Sequence, residues 1–399
     1  MDVVQEISQF NAGRDPERLQ LKYQRMRSDP FVFLRGTCHL FYQRMPKGGL
    51  FKSAPPVWSC GDLHLENFGS YKGDNRLAYF DMNDFDEGVL APATWDLVRM
   101  LTSMQVGAKS LGLKPGDALV LCDSFLDSYG AALMTGKAYW VEPQTAHGLV
   151  SSLLDGLRDR RRADFLNART QLKSRKRTFK PDRNRVLPVD AAQREKVITF
   201  MDGFSRTQAN PEFFQVLDVA HRIAGTGSLG VDRYAILVHG KSSPDGNYLL
   251  DLKEAQPSSL APYLKVKQPR WTSQAHRVVE VQHRMQAVSM AFLQPVSIDH
   301  TSYVLRALQP TEDRVSIDGA RQTLGEIGKA IAAMGCIVAW GQLRSSGRQG
   351  SATADELIEF ASGKKWKRKL LEASKVLAEQ TMQDAATFDS AFDDGAFRL

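Results

Sequence analysis

A chain of 399 residues exceeds what one simple core usually holds, so two lobes are expected, and 43% hydrophobic with 24% charged residues is an ordinary globular composition. Four widely spaced cysteines without a CxxC pair argue against structural zinc and a disulfide framework, and they fit a reducing cytoplasm. The net charge of +7 is local: Arg158 to Arg185 holds twelve Lys or Arg against three Asp, and the remainder is near neutral.

In chain order, residues 1–30 read as a polar, helix-rich lead-in ending at Asp29-Pro30. It begins with acidic and polar residues, where a signal peptide needs a basic start and an apolar run. Phe31 to Met45 is more apolar and carries Arg35-Gly36, and the buried-looking run Pro56 to Cys60 leads into Gly61-Asp62. Leu77 to Phe80 is a short strand that stops at Asp81. From Thr94 to about Tyr139 apolar residues such as Leu97, Leu101 and Met104 recur at helical spacing. The basic segment follows, broken by Pro181 and Pro188. It reads either as a solvated, mobile hairpin or as a surface for phosphate groups, nucleic acid or an acidic partner.

The character changes after Pro211. Val219 to Ala224, Val231 to His239 and Tyr248 to Leu252 are strands joined by Gly-rich turns, including Ser243-Pro244-Asp245-Gly246-Asn247. A helix from Ala275 to Leu293 and a strand from Ser302 to Leu308 complete a small α+β unit closed by Pro310. Helices return from about Ala320, and the last dozen residues are expected to fray. The longest nearly apolar stretch, Ala330 to Trp340, is too short to cross a bilayer, so no membrane partner is expected.

Phosphoryl transfer from ATP needs a carboxylate to orient the acceptor, oxygen ligands for Mg²⁺, and a cation with backbone amides on the phosphates. Each part has a candidate. Cys60-Gly61-Asp62-Leu63-His64-Leu65-Glu66-Asn67 resembles the catalytic loop of protein kinases (HRDxxxxN) and, more closely, of aminoglycoside and choline phosphotransferases (HGDxHxxN), with Cys60 in place of the usual His. That likeness implies Asp62 as the catalytic carboxylate and Asn67 as a catalytic-loop metal ligand. Fourteen residues later, Phe80-Asp81-Met82-Asn83-Asp84-Phe85-Asp86 resembles the Ile-Asp-x-x-Asp metal motif of small-molecule kinases. Asp81 is the first choice of ligand, with Asp84 or Asp86 as further ones, because such carboxylate density is costly without a cation. Trp95-Asp96-Leu97 resembles the helix start that braces the catalytic loop.

The nucleotide half comes 163 positions after Asp62. Gly225-Thr226-Gly227-Ser228-Leu229-Gly230 lies between two strands, which is the arrangement of a kinase Gly-rich loop and not of a Rossmann turn. Gly225, Gly227, Ser228 and Gly230 are therefore expected to cover the phosphates. Lys253, at the end of the next apolar strand, resembles the Lys of the Val-Ala-Ile-Lys element, and Glu280 on the following helix is its expected partner. Tyr303 to Pro310 resembles the strand and hinge that hold adenine.

The whole resembles domain-of-unknown-function family 2252, an uncharacterised bacterial family grouped with kinase-like folds. Phe31 to Gly36, Cys60 to Gly69, Phe80 to Glu87, Trp95 to Leu97, Gly225 to Gly230, Lys253 to Ala255 and Val278 to Glu280 carry the likeness. It implies an α+β, two-lobed, protein-kinase-like fold in circularly permuted order. The expected parts are a helical catalytic lobe at 1–210, a β-rich nucleotide lobe at 211–312 and returning helices at 313–399. The implied activity is ATP- and Mg-dependent phosphotransfer to an unknown small-molecule or protein acceptor. The basic segment is expected to flank the acceptor entrance and to favour an anionic acceptor. Alternatives are AMP transfer, a non-catalytic ATP-binding protein, or a module binding nucleic acid or an acidic partner through Arg158 to Arg185. A metallophosphoesterase also opens on GDxH, but its later Gly-Asn-His does not occur here.

Overall fold

The computed structural model describes residues 2–241 and 244–398; Ser243 of the expected turn lies outside them. Helices α1 (Val3–Phe10), α2 (Pro16–Ser28), α3 (Pro30–Gly36), α4 (Cys38–Arg44) and the single turn α5 (Leu50–Ser53) come first. Strands β1 (Pro56–Ser59), β2 (Phe68–Lys72), β3 (Ala78–Met82) and β4 (Val89–Pro92) follow, paired as β1–β4 and β2–β3. Then come α6 (Thr94–Gly107), α7 (Pro115–Met134), α8 (Gly148–Asp159), α9 (Arg162–Asn167) and the hairpin β5 (Thr170–Lys173) and β6 (Lys176–Phe179). The remaining elements are β7 (Val186–Leu187), α10 (Ala191–Ser205), β8 (Val216–Arg222), β9 (Arg233–Val238), β10 (Tyr248–Glu254), α11 (Gln274–Met285), β11 (Gln294–Ile298), β12 (Thr301–Ala307), α12 (Leu324–Arg344), α13 (Ala354–Ser362) and α14 (Trp366–Asp393).

The fold is α+β. Six antiparallel strands form one sheet in the order β11-β12-β10-β9-β8-β7. Side chains alternate faces along a strand, and β9 is buried throughout because both of its faces are covered. Tyr234, Ile236 and Val238 join Val197, Met201 and Phe204 of α10, whereas Ala235 and Leu237 join Leu166 of α9 and Phe179 of β6. The sequence boundary at 210/211 therefore cuts through one packing unit. Residues from α9 through α10, expected in the first lobe, clothe the sheet instead. Their apolar positions can be buried only against it.

Within the basic segment β5 and β6 form a hairpin with most of the Lys and Arg exposed, but three arginines tie it to the rest of the molecule. Arg160 pairs with Asp313 and Arg169 with Glu312, while Arg177, 2% exposed, holds Asp245 at 2.8 Å. Acids remote in sequence hold these three arginines, which no local charge count can reveal.

The helical part surrounds α12, which starts at a capping box between Thr323 and Glu326 and buries Ile327, Ile331, Met334 and Val338. By length and composition α12 could cross a membrane, but half of its apolar window is already buried inside the protein. Gly335 is required where α12 meets α7, since a Cβ there lies 2.4 Å from the Phe125 carbonyl oxygen. The C-terminus is docked and not frayed: Phe388 and Phe397 pack with Tyr23 of α2, and Arg27 grips Asp393.

One buried carboxylate ties four strands together. Asp251 on β10 accepts from Arg233 of β9 at 2.7 and 2.8 Å, lies 2.7 Å from Arg222 of β8, and accepts from Arg306 of β12 at 3.4 Å. Burial opposes its ionised form, but the three guanidinium groups hold its carboxyl far below the usual carboxylate range. Because the folded pKa is depressed, its contribution is fully present above about pH 4, the unfolded value, and is lost as pH falls below that.

Two stability outcomes follow from this packing. Asp251→Asn should lower stability by about 3–5 kcal/mol, the usual cost of breaking a buried ion pair, read as a lower urea midpoint. Gly335→Leu should cost at least about 1–3 kcal/mol by overpacking. A wild-type midpoint in either variant contradicts the packing given above.

Candidate functional site

Strand β1 ends at Ser59, and the turn after it is held by the first turns of α6. Asp96 accepts the amides of Cys60 at 2.9 Å and Gly61 at 3.0 Å. Gly61 sits at φ +83°, and a Cβ there would lie 2.3 Å from the Glu87 carbonyl oxygen, so only glycine fits. Three residues beyond Asp96 on the same helical face, fully buried Arg99 donates to Oδ1 of Asp62 from Nε at 2.8 Å and Nη2 at 2.5 Å. Burial alone would lower the Arg99 pKa, but the Asp62 carboxylate outweighs it and raises it. Nδ2 of Asn67 donates to the Asp62 carbonyl at 2.6 Å, which leaves the Asn67 amide oxygen as its acceptor atom. His64 is a cap: its Nδ1 accepts the Glu66 amide at 3.1 Å.

The acidic run arrives beside this loop because β2 and β3 pair, and the Asn83 amide extends the ladder to the Asn67 carbonyl at 2.9 Å. Here the structure corrects the sequence expectation. Asp81, the first choice as metal ligand, is turned away: Oδ1 takes the Met82 amide at 2.8 Å and Oδ2 the Ala287 amide at 3.1 Å. It staples β3 to the segment after α11, and burial pushes its pKa up. Asp84 and Asp86 reach the cleft instead. Burial would raise Asp84, but Lys253, Arg306, Arg233 and Arg314 outweigh it and hold it below the usual carboxylate range.

Lys253 comes from β10 into the same cleft and pairs with Asp86, 167 positions away. Its expected partner, Glu280, is elsewhere: it pairs along its own helix with Arg284 at 3.3 Å and His276 at 3.9 Å. The α11 residue that does reach the site is Arg277, whose guanidinium binds the carbonyls of Gly88 at 2.6 Å, Asp86 at 2.8 Å and Gln256 at 2.9 Å. It fixes the acidic loop by its backbone and leaves the carboxylates free.

The Gly-rich loop between β8 and β9 forms the opposite wall, where Gly225, Gly227 and Ser228 line the cleft. Gly230 does not line it. A Cβ at Gly230 would meet Arg14 Cβ at 2.8 Å, so that glycine serves close packing against the start of α2. Glu66, held by Arg35 at 2.6 Å and Arg314 at 2.7 Å, braces the side formed by residues 60–67. Beyond the cleft, a cavity of about 290 Å³ lies between the insertion and the residues after β12, lined by Phe179, Ile223, Ala224, Leu249, Leu308 and Pro310.

Asn67, Asp84 and Asp86 form a set of hard oxygen donors in a cleft that Lys253, Arg14, Arg35 and Arg314 also line. Among the described residues no three His, Cys, Asp or Glu side chains form a ready metal cage. The donor set nevertheless fits Mg²⁺, which usually takes one or two carboxylates and completes its shell with water and phosphate. Arg99, Arg277, Arg14 and the Asp251 cluster escaped the sequence reading. Only Arg99 had a local signal, its spacing of three from Asp96.

No curated protein and no solved structure matches this chain. A family of uncharacterised proteins conserved in bacteria matches residues 14–391, a span that holds every residue of the site except Phe10. The chain belongs to that family, DUF2252.

Proposed function

We propose that the chain is an ATP- and Mg-dependent phosphotransferase with kinase-like lobes in permuted order. The observation that carries this reading is the meeting of Asp62, Asn67, Asp84 and Asp86 with Lys253 and the Gly-rich loop in one cleft. No local sequence effect requires those two groups to converge, and phosphoryl transfer uses both.

Asp62 offers one carboxylate oxygen to Arg99 and has the other for an acceptor hydroxyl. The acceptor oxygen attacks the terminal phosphorus, the bond to the bridging oxygen breaks, ADP leaves, and the hydroxyl proton passes to Asp62. Pairing with Arg99 holds Asp62 in a fixed orientation, and a loose transition state calls for little proton removal beforehand. Asn67 and Asp84, with Asp86, are the residues to hold Mg²⁺, which supplies charge neutralisation on the phosphates. Lys253 exchanges Asp86 for phosphate oxygens when nucleotide enters. The cavity beside Leu308 and Pro310, which mixes apolar side chains with Arg169, Arg222 and Glu312, is our choice of place for the base. Nucleic-acid binding through Arg158 to Arg185 draws less support, since Arg160, Arg169 and Arg177 already hold protein carboxylates.

Incubating the purified chain with Mg²⁺ and ATP labelled at the α or γ phosphate, against metabolite and protein panels, identifies the transferred group. Asp62→Asn should lower transfer about 10²–10⁴-fold while leaving nucleotide affinity intact. Asp84→Asn should weaken Mg-dependent ATP binding, and Asp81→Asn and Glu280→Gln should not. Full activity in Asp62→Asn, or loss of Mg-ATP binding in Asp81→Asn with Asp84→Asn unaffected, sinks the assignment.

A further inference from the structure

The outer side of the Gly-rich loop is gripped by residues more than 200 positions earlier. Nη1 of Arg14 donates to the carbonyls of Gly227 at 2.7 Å and Leu229 at 3.2 Å. Nη1 of Arg18 donates to Val231 at 2.9 Å. Nζ of Lys22 donates to Gly227 at 3.2 Å and to the Asn11 side chain at 2.8 Å. The Asp15 amide adds a bond to the Gly230 carbonyl at 3.1 Å. Four carbonyls between Gly227 and Val231 thus face the α1–α2 segment.

In a trans peptide the carbonyl and the following N–H point in opposite directions. Engaging the Gly227 carbonyl on Arg14 and Lys22 therefore turns the Ser228 amide away from them, and Ser228 lines the cleft. Among the described residues that amide meets no protein acceptor, whereas the Val231 and Asp232 amides are taken by Ser228 and Glu254. The grip also places charge. Lys22 is fully buried, and among the described residues neither it nor Arg14 pairs with a carboxylate. Burial of an unpaired ammonium is costly, and burial drags the Lys22 pKa well down. Arg14, whose guanidinium stays charged, lines the cleft beside the loop's backbone amides, and together they favour an anion there.

We propose that Arg14 and Lys22 are positioning residues: with Arg18 they clamp the loop so that its amides face the cleft before any ligand arrives. The clamp is a claim about the ligand-free loop, and its effect on nucleotide use rests on the phosphotransferase reading. A loop fixed in advance does not lose its freedom on binding, so the clamp acts through affinity more than through the chemical step.

Hydrogen exchange of residues 224–232 in the ligand-free protein tests the clamp directly, with α12 amides as the control for intact folding. Lys22→Met and, as a less buried alternative, Arg14→Gln should each speed loop exchange about tenfold or more while α12 stays protected. Both should raise the KM for Mg-ATP several-fold with little change in kcat, and Lys22→Arg should recover part of the loss. Loop exchange unchanged in both variants overturns the clamp. Faster loop exchange in a protein whose wild type binds no Mg-ATP keeps the clamp and overturns the phosphotransferase reading.

Discussion

The Asp62–Arg99 pair sets the terms for the rest of the molecule. A guanidinium with no exposure needs a fixed counter-charge, and Asp62 can supply it only if the turn at Gly61 brings the carboxylate over α6. Asp96 makes that turn by taking the Cys60 and Gly61 amides. Two charged residues on one helical face thus fix where the loop stands. The β2–β3 pairing then carries the acidic run to its side, and Arg277 anchors that run from across the cleft. The interior is built on the same rule elsewhere, most plainly where Asp251 holds three arginines from three other strands.

Contiguous motifs were legible in the sequence. Asp62, Asn67 and Asp96 sit within short runs whose likeness to phosphotransferase motifs implies a loop and its brace, and the strands carrying the Gly-rich loop and Lys253 read correctly from alternation. Asp84 against Asp81 was not legible, because which carboxylate faces inward depends on the Ala287 amide that claims Asp81 from outside the motif. Glu280 failed for a related reason: its helical neighbours Arg284 and His276 compete for it, and Lys253 finds Asp86 first. Arg160, Arg169 and Arg177 looked free because their partners Asp313, Glu312 and Asp245 lie far along the chain. Strand β11 escaped because Gln294-Pro295 at its start reads as a break, and only pairing with β12 makes it a strand.

Charge within the cleft is arranged for exchange and not for permanent neutralisation. Lys253 is drawn down to about 8 by burial, with Asp84 opposing, and it rests on Asp86. An incoming anion together with a cation can replace that single pair by two, one on each side, without leaving a buried charge unmatched. That is a physical reason for acids to outnumber the lysine at this point of the cleft.

The six-stranded sheet has two ends, and each is short or blunted. At one end β7 contributes only Val186 and Leu187; at the other, β11 carries Pro295, which has no N–H to offer a neighbour. A long open border of unpaired amides is a template on which another chain can add a strand. Here β7 covers only the Arg222 end of β8 on one border, and a donor is missing on the other. Strand addition at the β11 border therefore meets a proline where an amide donor is needed, whereas the Val216 end of β8 is left unpaired by β7.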